Sequence, residues 1–320
     1  MTSRGIMAST VLQIPLLESP MPELPEVEVL VQELAPHLVG QRIETLRCSG
    51  LPLRRFNGNA KALEPLIGQR VRTVTRRAKT IVIGLDRHWL LVHLGMTGNL
   101  SWSADRSEAD AVAHAFTHAA VQKEGALHRH WQMRLTDGLL AYVDPRRFGD
   151  LCLVPHAEGL VGTNSNGVPS DATLGLQGLG PEPLSAGFSG ASLHAASRGV
   201  RQAIKPWLMN GRAVVGVGNI YASEALFRSG IHPALAAGRL SRPRALHLAE
   251  TLVEVLKEAI EAGGSTLRDY RHADGSIGGY QSGHLVYGRE GQPCPACGRP
   301  LRRIIQAQRS TFFCAGCQRR

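Results

Sequence analysis

Pro22 can do chemistry only as a chain terminus. Within a chain its nitrogen is a tertiary amide with no N–H and no usable lone pair. If translation began at Met21 and that methionine were removed, the nitrogen would become a secondary amine. Such an amine titrates not far above neutrality and is nucleophilic in its unprotonated fraction. Glu23 and Glu26 follow within a turn. An amine beside carboxylates is the equipment for Schiff-base formation at a carbonyl-like carbon, with proton transfer. The same residues also read as ordinary helix grammar, with Pro25 in the first turn and glutamates favouring the N-terminus.

The second chemical pattern is Cys294-Pro-Ala-Cys297, sixteen residues, then Cys314-Ala-Gly-Cys317. Two such knuckles at this separation fit tetrahedral Zn2+ on a β-hairpin. Four thiolates fill the coordination sphere, so the single metal is structural. Cys48 and Cys152 stand alone, which makes the six cysteines a metal pattern rather than a disulfide framework and favours a reducing compartment. The intervening hairpin carries Arg299, Arg302, Arg303 and Arg309, with Arg319 and Arg320 beyond, and no acid follows Cys297. That composition suits phosphate contacts.

Three further stretches place reactive or intercalating side chains on turns. His93-Leu94-Gly95-Met96-Thr97-Gly98 and Asp144-Pro145-Arg146-Arg147-Phe148-Gly149 each follow a strand. A Met and a Phe on loops beside arginines can wedge into a base stack, although each alone also reads as core. Gly216-Val217-Gly218 leads into a helix start, which either cradles a phosphate or makes a tight turn. Lys79, in Arg76-Arg77-Ala78-Lys79, says little by itself.

These residues need a scaffold of more than one domain. At 320 residues the chain has room for two domains, and its net charge of +10 favours a polyanionic partner, nucleic acid before membrane. No apolar run is long enough to span a bilayer. Residues 1–21 read as a leader outside the working protein. A helix is expected from Pro25, with Val27, Leu30, Val31 and Leu34 on one face, ended by Pro36 and Gly40. Strands are expected over Arg42–Cys48, Arg70–Leu85 and Trp89–Leu94, and Trp131–Leu135 and Leu139–Val143 flank a Thr136-Asp137-Gly138 hairpin turn. Ser101–His130 reads as an extended loop with His114, His118, His128 and His130 solvated. The expected organisation is α+β: a β-sandwich with a leading helix over 22–155, a linker at 156–175, a helical domain over 176–285 and a zinc ribbon over 286–320. In the helical part, Asn219–Phe227 is one helix. Ser241 caps another through Leu248, Leu252, Val255, Leu256 and Ala259, stopped by Gly263-Gly264. Arg268–Gly283 reads as a loop.

Taken in order from Met21 onward, these motifs resemble the formamidopyrimidine-DNA glycosylase family. The resemblance rests on Pro22-Glu23-Leu24-Pro25-Glu26, His93-Leu94-Gly95-Met96, Asp144 to Gly149, Gly216-Val217-Gly218-Asn219-Ile220-Tyr221-Ala222 and the four cysteines. It implies a helix–two-turn–helix motif, and double-stranded DNA carrying oxidised bases or abasic sites as partner. It implies excision of oxidised purines in base-excision repair, with Pro22 attacking C1′, Glu23 giving acid–base help, and β,δ-elimination of the resulting imine. Lys79, His93, Asn219 and Arg309 fall where the family grips phosphates, and Lys205, Arg147 and Arg268 join the implied DNA-binding set. Met96, Arg146 and Phe148 fall on void-filling positions, and Arg268–Gly283 on the lesion-capping loop. A monomer in the bacterial cytoplasm, associated with the nucleoid, is the accompanying expectation. The alternatives are an endonuclease VIII-like enzyme for oxidised pyrimidines, or a non-catalytic damaged-DNA-binding protein if the leader stays attached. The Ser101–His130 insertion has no counterpart in the family pattern.

Overall fold

The computed structural model describes residues 21–104, 128–156, 169–265, 272–274, 276 and 278–320. Helix α1 (Leu24–Leu38) opens with Pro25 in its first turn, where a missing N–H costs nothing, and with the Glu23 amide donating to Glu26 Oε2 at 2.8 Å. Its apolar stripe, Val27, Leu30, Val31 and Leu34, is buried as the spacing requires. Pro36 lies inside the last turn instead of ending the helix. Only its own N–H is lost, and Val39 N still closes on Ala35 O at 3.0 Å.

Eight strands follow: β1 (Ile43–Cys48), β2 (Val71–Arg77), β3 (Thr80–Leu85), β4 (His88–His93), β5 (Asn99–Ser103), β6 (Arg129–Leu135), β7 (Gly138–Val143) and β8 (Asp150–Pro155). They form two antiparallel sheets in the orders β1-β6-β7-β5 and β2-β3-β4-β8. Their facing residues and α1 share one core, with Trp131 stacked on Tyr142 at 5.6 Å near its centre. The stretch read as Arg70–Leu85 is two strands, broken where Ala78 turns into the left-handed region at φ +55°. The hairpin lies where Thr136 and Asp137 predict it, with Leu135 paired to Gly138. Gly138 serves packing there: a Cβ would meet Trp102 Cζ2 at 2.5 Å. The insertion is shorter than expected at both ends, because Ser101–Ser103 and Arg129–His130 are strand residues. His130 is therefore buried, donating from Nε2 to Asp144 O at 2.8 Å, while His114 and His118 lie outside the described residues.

The second core is helical: α2 (Gly190–Ser197), α3 (Ile204–Leu208), α4 (Asn219–Arg228) and α5 (Arg242–Glu261). Helices α4 and α5 are the expected pair. Ser241 is the N-cap residue of α5, and Gly263 and Gly264, both at φ +77°, turn the chain away at its end. The last module is the hairpin β9 (Arg302–Gln306) and β10 (Arg309–Phe313), joined by Ala307 and Gln308. Buried Glu224 of α4 fastens it by accepting the amides of Leu285, Val286 and Tyr287 at 2.8–3.0 Å. Gln318 adds a second tie, donating to Ile231 O at 2.8 Å.

Part of the expected 156–175 linker is bound structure. Leu174 packs on Val82, Trp89 and Leu91 behind the second sheet. Arg77 donates two hydrogen bonds to Asp171, each 2.7 Å, and another to Glu182, which takes Arg76 and the Ala78 amide as well. Two arginines of the basic run are thus consumed in joining the domains. No described helix is long and apolar enough to cross a membrane.

Candidate active site

The first turn of α1 sits between the two cores. Leu24 N donates to Gly216 O at 3.0 Å, and the Glu23 carboxylate lies on the N-terminus of α4. It accepts Gly218 N at 2.9 Å, Ile220 N at 2.9 Å and Tyr221 N at 3.4 Å. Free amides and the helix dipole do attract an anion here. That anion is the chain's own glutamate, so of the two readings of Gly216-Val217-Gly218 the structure favours the tight turn, with the helix end filled by Glu23. The glycines are needed for this approach, since a Cβ on Gly218 would stand 2.2 Å from Glu23 Cδ. Glu26 lies alongside, taking Ser265 N at 2.7 Å and the Tyr221 hydroxyl.

Burial governs the protonation of this cluster. It pushes the Glu23 carboxyl up, against the pull of Lys79 and the three amides, and pushes Glu26 up with help from Glu23. It pushes Lys79 down from the ordinary lysine value, opposed by both glutamates and aided by Arg309. The acid and the amine are brought toward one another in proton affinity, which suits groups that exchange protons with a substrate near neutrality. Pro22 is buried next to this pair, with Met21 on its nitrogen side.

In front of it lies a cleft of about 430 Å³ lined by Met21, Arg54, His93, Gly95, Met96, Arg147, Phe148 and Arg309. Five of the sequence candidates meet here from separate stretches of the chain. His93 Nδ1 accepts Gly95 N at 3.1 Å, so the neutral ring carries its proton on Nε2. Burial, with Lys79, holds its pKa at about 4, and the ring is neutral at physiological pH. Arg146 lies over the Phe148 ring at 4.7 Å, and Phe148 is 47 % exposed. Sequence reasoning does not single out Arg54, and nothing in its local pattern marks it.

The wedge loop is held from beneath by Asp144, which is 0 % exposed. It accepts the Thr97 and Tyr142 hydroxyls, Arg146 N at 3.2 Å and Gly149 N at 2.8 Å. Gly95 and Gly149 let the Met96 and Phe148 turns touch, because a Cβ on Gly95 would be 2.4 Å from Phe148 C. Asp144→Ala strands several buried donors. It is expected to lower stability by roughly 3 kcal/mol, read by denaturant unfolding, and to release Arg146 and Phe148 together.

Other candidates lie further back. Lys205 is 1 % exposed and donates to Asn219 Oδ1, Ser310 O at 3.0 Å and Thr311 Oγ1 at 2.8 Å. Asn219 also donates to the Tyr287 hydroxyl at 3.3 Å. These two residues tie α3, α4 and β10 together, and Lys205 and Arg309 line a smaller cleft of about 220 Å³. Arg303 is engaged by Glu290 at 2.8 Å, so the basic hairpin is not free of acid partners. Arg268 lies outside the described residues.

The four cysteine Sγ atoms lie within 4.8 Å of one another, with Cys294–Cys317 at 3.8 Å and Cys297–Cys314 at 3.5 Å. A tetrahedron of Zn–S bonds has S···S edges of about 3.8 Å. The donor set fits Zn2+, which would brace the hairpin and offer no open coordination position.

Family profiles match the chain in three consecutive blocks. The profile described as formamidopyrimidine-DNA glycosylase N-terminal domain covers residues 21–151, the H2TH domain of the same enzymes covers 179–271, and the zinc finger found in FPG and IleRS covers 291–320. A formamidopyrimidine-DNA glycosylase of Cupriavidus pinatubonensis is 44 % identical over 311 residues, spanning 93 % of this chain and 100 % of the relative. One from Paraburkholderia xenovorans is 42 % identical over 299 residues, with the same coverage. Among solved structures, a Lactococcus lactis FPG mutant in complex with Fapy-dG-containing DNA superposes with a TM-score of 0.77 at 30 % identity, covering 93 % and 100 % of the two chains. The MutM (FPG) protein of Thermus thermophilus gives 0.74 at 36 % identity, covering 93 % and 98 %. With three profiles of these enzymes matched in order along the chain and full-length relatives at 42–44 % identity, the chain belongs to the formamidopyrimidine-DNA glycosylase family.

Proposed function

We propose that this protein is a bifunctional DNA glycosylase and AP lyase that removes oxidised purines from duplex DNA in base-excision repair. The observation that carries the reading is the Glu23 carboxylate fixed by three amides beside Pro22, with Lys79 close enough to shift its protonation. The working N-terminus is Pro22, because only a free secondary amine can attack C1′ of the damaged nucleotide. Glu23, on a rigid mount, handles protons at the sugar. The N–C bond formed at Pro22 displaces the base and the nitrogen loses its proton; the C1′–O4′ bond then breaks, with O4′ taking a proton by way of Glu23, to leave an iminium that acidifies the C2′ proton, and β- and δ-elimination expel the 3′- and 5′-phosphates in turn. Lys79, the His93 Nε2–H and Arg309 supply donors for backbone phosphates. Met96, Arg146 and Phe148 fill the space that an extruded nucleotide leaves. Arg54 and Arg147 add charge to the same wall. Zinc supplies no chemistry beyond holding β9 and β10. The working domains are 22–155, 176–285 and 286–320, acting as a monomer on the bacterial nucleoid.

The test is borohydride trapping. The chain expressed from Met21 is mixed with a duplex holding 8-oxoguanine opposite cytosine, reduced, and digested. The expected result is an adduct on the peptide that begins at Pro22. Tight binding with no adduct would overturn the mechanism for this lesion. An adduct only with oxidised pyrimidines would move the assignment to the endonuclease VIII-like alternative.

A further inference from the structure

A line of buried hydrogen bonds leads away from the reacting centre to a histidine that no motif marks. Glu23 and Glu26 share one support, Tyr221 of α4. Its amide donates to Glu23 Oε2 at 3.4 Å and its hydroxyl to Glu26 Oε1. The Glu23 amide, part of the peptide that joins it to Pro22, closes the ring by donating to Glu26 Oε2 at 2.8 Å. Behind the Tyr221 hydroxyl lies Ser265 Oγ at 3.2 Å, and behind that His284 Nε2 at 3.1 Å. All of these side chains are buried. The rings of Tyr280 and Tyr287 stand edge-on to His284, each at 5.7 Å.

Burial holds the His284 pKa at about 4, so the ring is neutral at physiological pH and carries one N–H. The charged groups around it are engaged elsewhere: Glu224 with the Leu285 amide, Arg289 with the His284 carbonyl, and Arg228 with Glu258 and the Tyr280 hydroxyl. With the proton on Nε2, every group hands a hydrogen forward, His284 to Ser265, Ser265 to Tyr221 and Tyr221 to Glu26. Burial and Glu26 keep the Tyr221 hydroxyl protonated, well above the ordinary tyrosine range. Aligned donors polarise one another and strengthen the last bond, which is to a carboxylate.

We propose that His284 is a positioning residue for the reaction: through Ser265 and Tyr221 it steers a hydrogen bond onto Glu26 and keeps that carboxylate in its negative form beside Pro22 and Glu23. The inference rests on the proposed glycosylase and lyase activity and deepens it. Burial and the neighbouring Glu23 both push Glu26 toward its protonated form, and the Tyr221 hydroxyl pulls the other way. An ionised Glu26 makes Glu23 a stronger base by like-charge repulsion, holds Lys79 in its charged form and fixes the Pro22–Glu23 peptide. Without the His284 donor, Ser265 gives less to Tyr221 and Tyr221 gives less to Glu26. The second proton of the glutamate pair then leaves only at higher pH, and the acid limb of excision moves up. A merely architectural histidine would lower the rate alike at every pH.

Single-turnover excision of 8-oxoguanine is measured across pH for the full zinc-loaded chain starting at Pro22, with thermal unfolding as a control. His284→Phe keeps a ring and loses the donor. It is expected to slow excision about threefold near about pH 6 while leaving the alkaline plateau within about 1.5-fold. Ser265→Ala, which keeps the Ser265 amide on Glu26, does the same and serves where the ring change disturbs packing. Tyr221→Phe removes the last bond and costs about tenfold on the acid side. His284→Gln, whose amide N–H can stand in for Nε2–H, keeps the original profile. In a Glu26→Gln background His284→Phe adds no further pH-dependent change. A uniform loss, a limb that stays or moves down, or the same shift without Glu26 would overturn the proposal. Failure of the unmodified enzyme to trap DNA would instead overturn the underlying activity.

Discussion

Glu23→Gln is expected to reduce base excision by roughly two to four orders of magnitude, the range for loss of a positioned acid–base group. The glutamine cannot be a neutral isostere here. Both carboxylate oxygens accept backbone N–H groups, Oε2 from Gly218 and Tyr221 and Oε1 from Ile220. Whichever way the amide is turned, its NH2 faces a donor at the N-terminus of α4. A buried donor without an acceptor costs about 1–3 kcal/mol, so the variant also loses stability, visible as a lower denaturation midpoint. The wall formed by His93, Met96, Phe148 and Arg309 is untouched, and DNA affinity stays near that of the unmodified enzyme. Single-turnover kinetics beside equilibrium binding read the two separately. The sign of the pH effect follows from the same burial. A carboxylate acting as base is lost as pH falls through its own pKa, which burial raises above the ordinary 4.5. The acid limb of the rate profile therefore lies above the usual carboxylate range and disappears with Glu23. A variant with ordinary excision rates would remove Glu23 from the mechanism.

Zinc removal has the other large effect. The cysteine-bearing module packs a small core against Phe227 of α4, built from that ring with Val286, Cys294, Leu301 and Cys314. Two of those five residues are metal ligands, and structural zinc sites of this kind bind with roughly 10–16 kcal/mol. Chelation is expected to unfold β9 and β10 while the sandwich core, which contains none of these residues, persists. Arg309 then leaves the cleft, and Lys205 loses its bonds to Ser310 and Thr311. Losing one partner of a desolvated charged contact costs about 2–5 kcal/mol, so DNA affinity falls at least about 30-fold. Titration with a strong chelator, followed by mobility shift and circular dichroism, tests this. Binding that survives chelation would mean that the hairpin is not part of the interface.

What can be read in the chain is local or chemically distinctive. The cysteine spacing dictates its own tetrahedron, and the 3.6-residue period of Val27, Leu30, Val31 and Leu34 fixes the buried face of α1. The Thr136-Asp137-Gly138 turn is legible for the same reason. What cannot be read depends on partners far apart in sequence. Gly216 and Gly218 look suited to a phosphate because nothing nearby reveals that Glu23 fills the helix end. Arg76 and Arg77 look like surface charge until Asp171 and Glu182 come against them. Helices α2 and α3, of 8 and 5 residues, are too short to establish a period. His130 reads as a loop residue because the polar stretch before it masks the alternation with its neighbours. Arg54 and His284 belong to no motif; only the folded chain gives them neighbours.

The bond between Glu23 and the N-terminus of α4 joins residues 195 positions apart. At about 5–20 residues per second of synthesis, this interval takes roughly 10–40 s. During it the first turn of the chain still lacks Gly216 and the α4 N-terminus, to which its backbone and Glu23 bind. The segment around Pro22 is open to processing enzymes in that window and becomes buried once residues 216–221 arrive. With synthesis starting at Met21, removal of that methionine is thus a step with a deadline. Pro22 and Glu23 are made together at the start, and the helix end that fixes the Glu23 carboxylate follows only with residues 218–221.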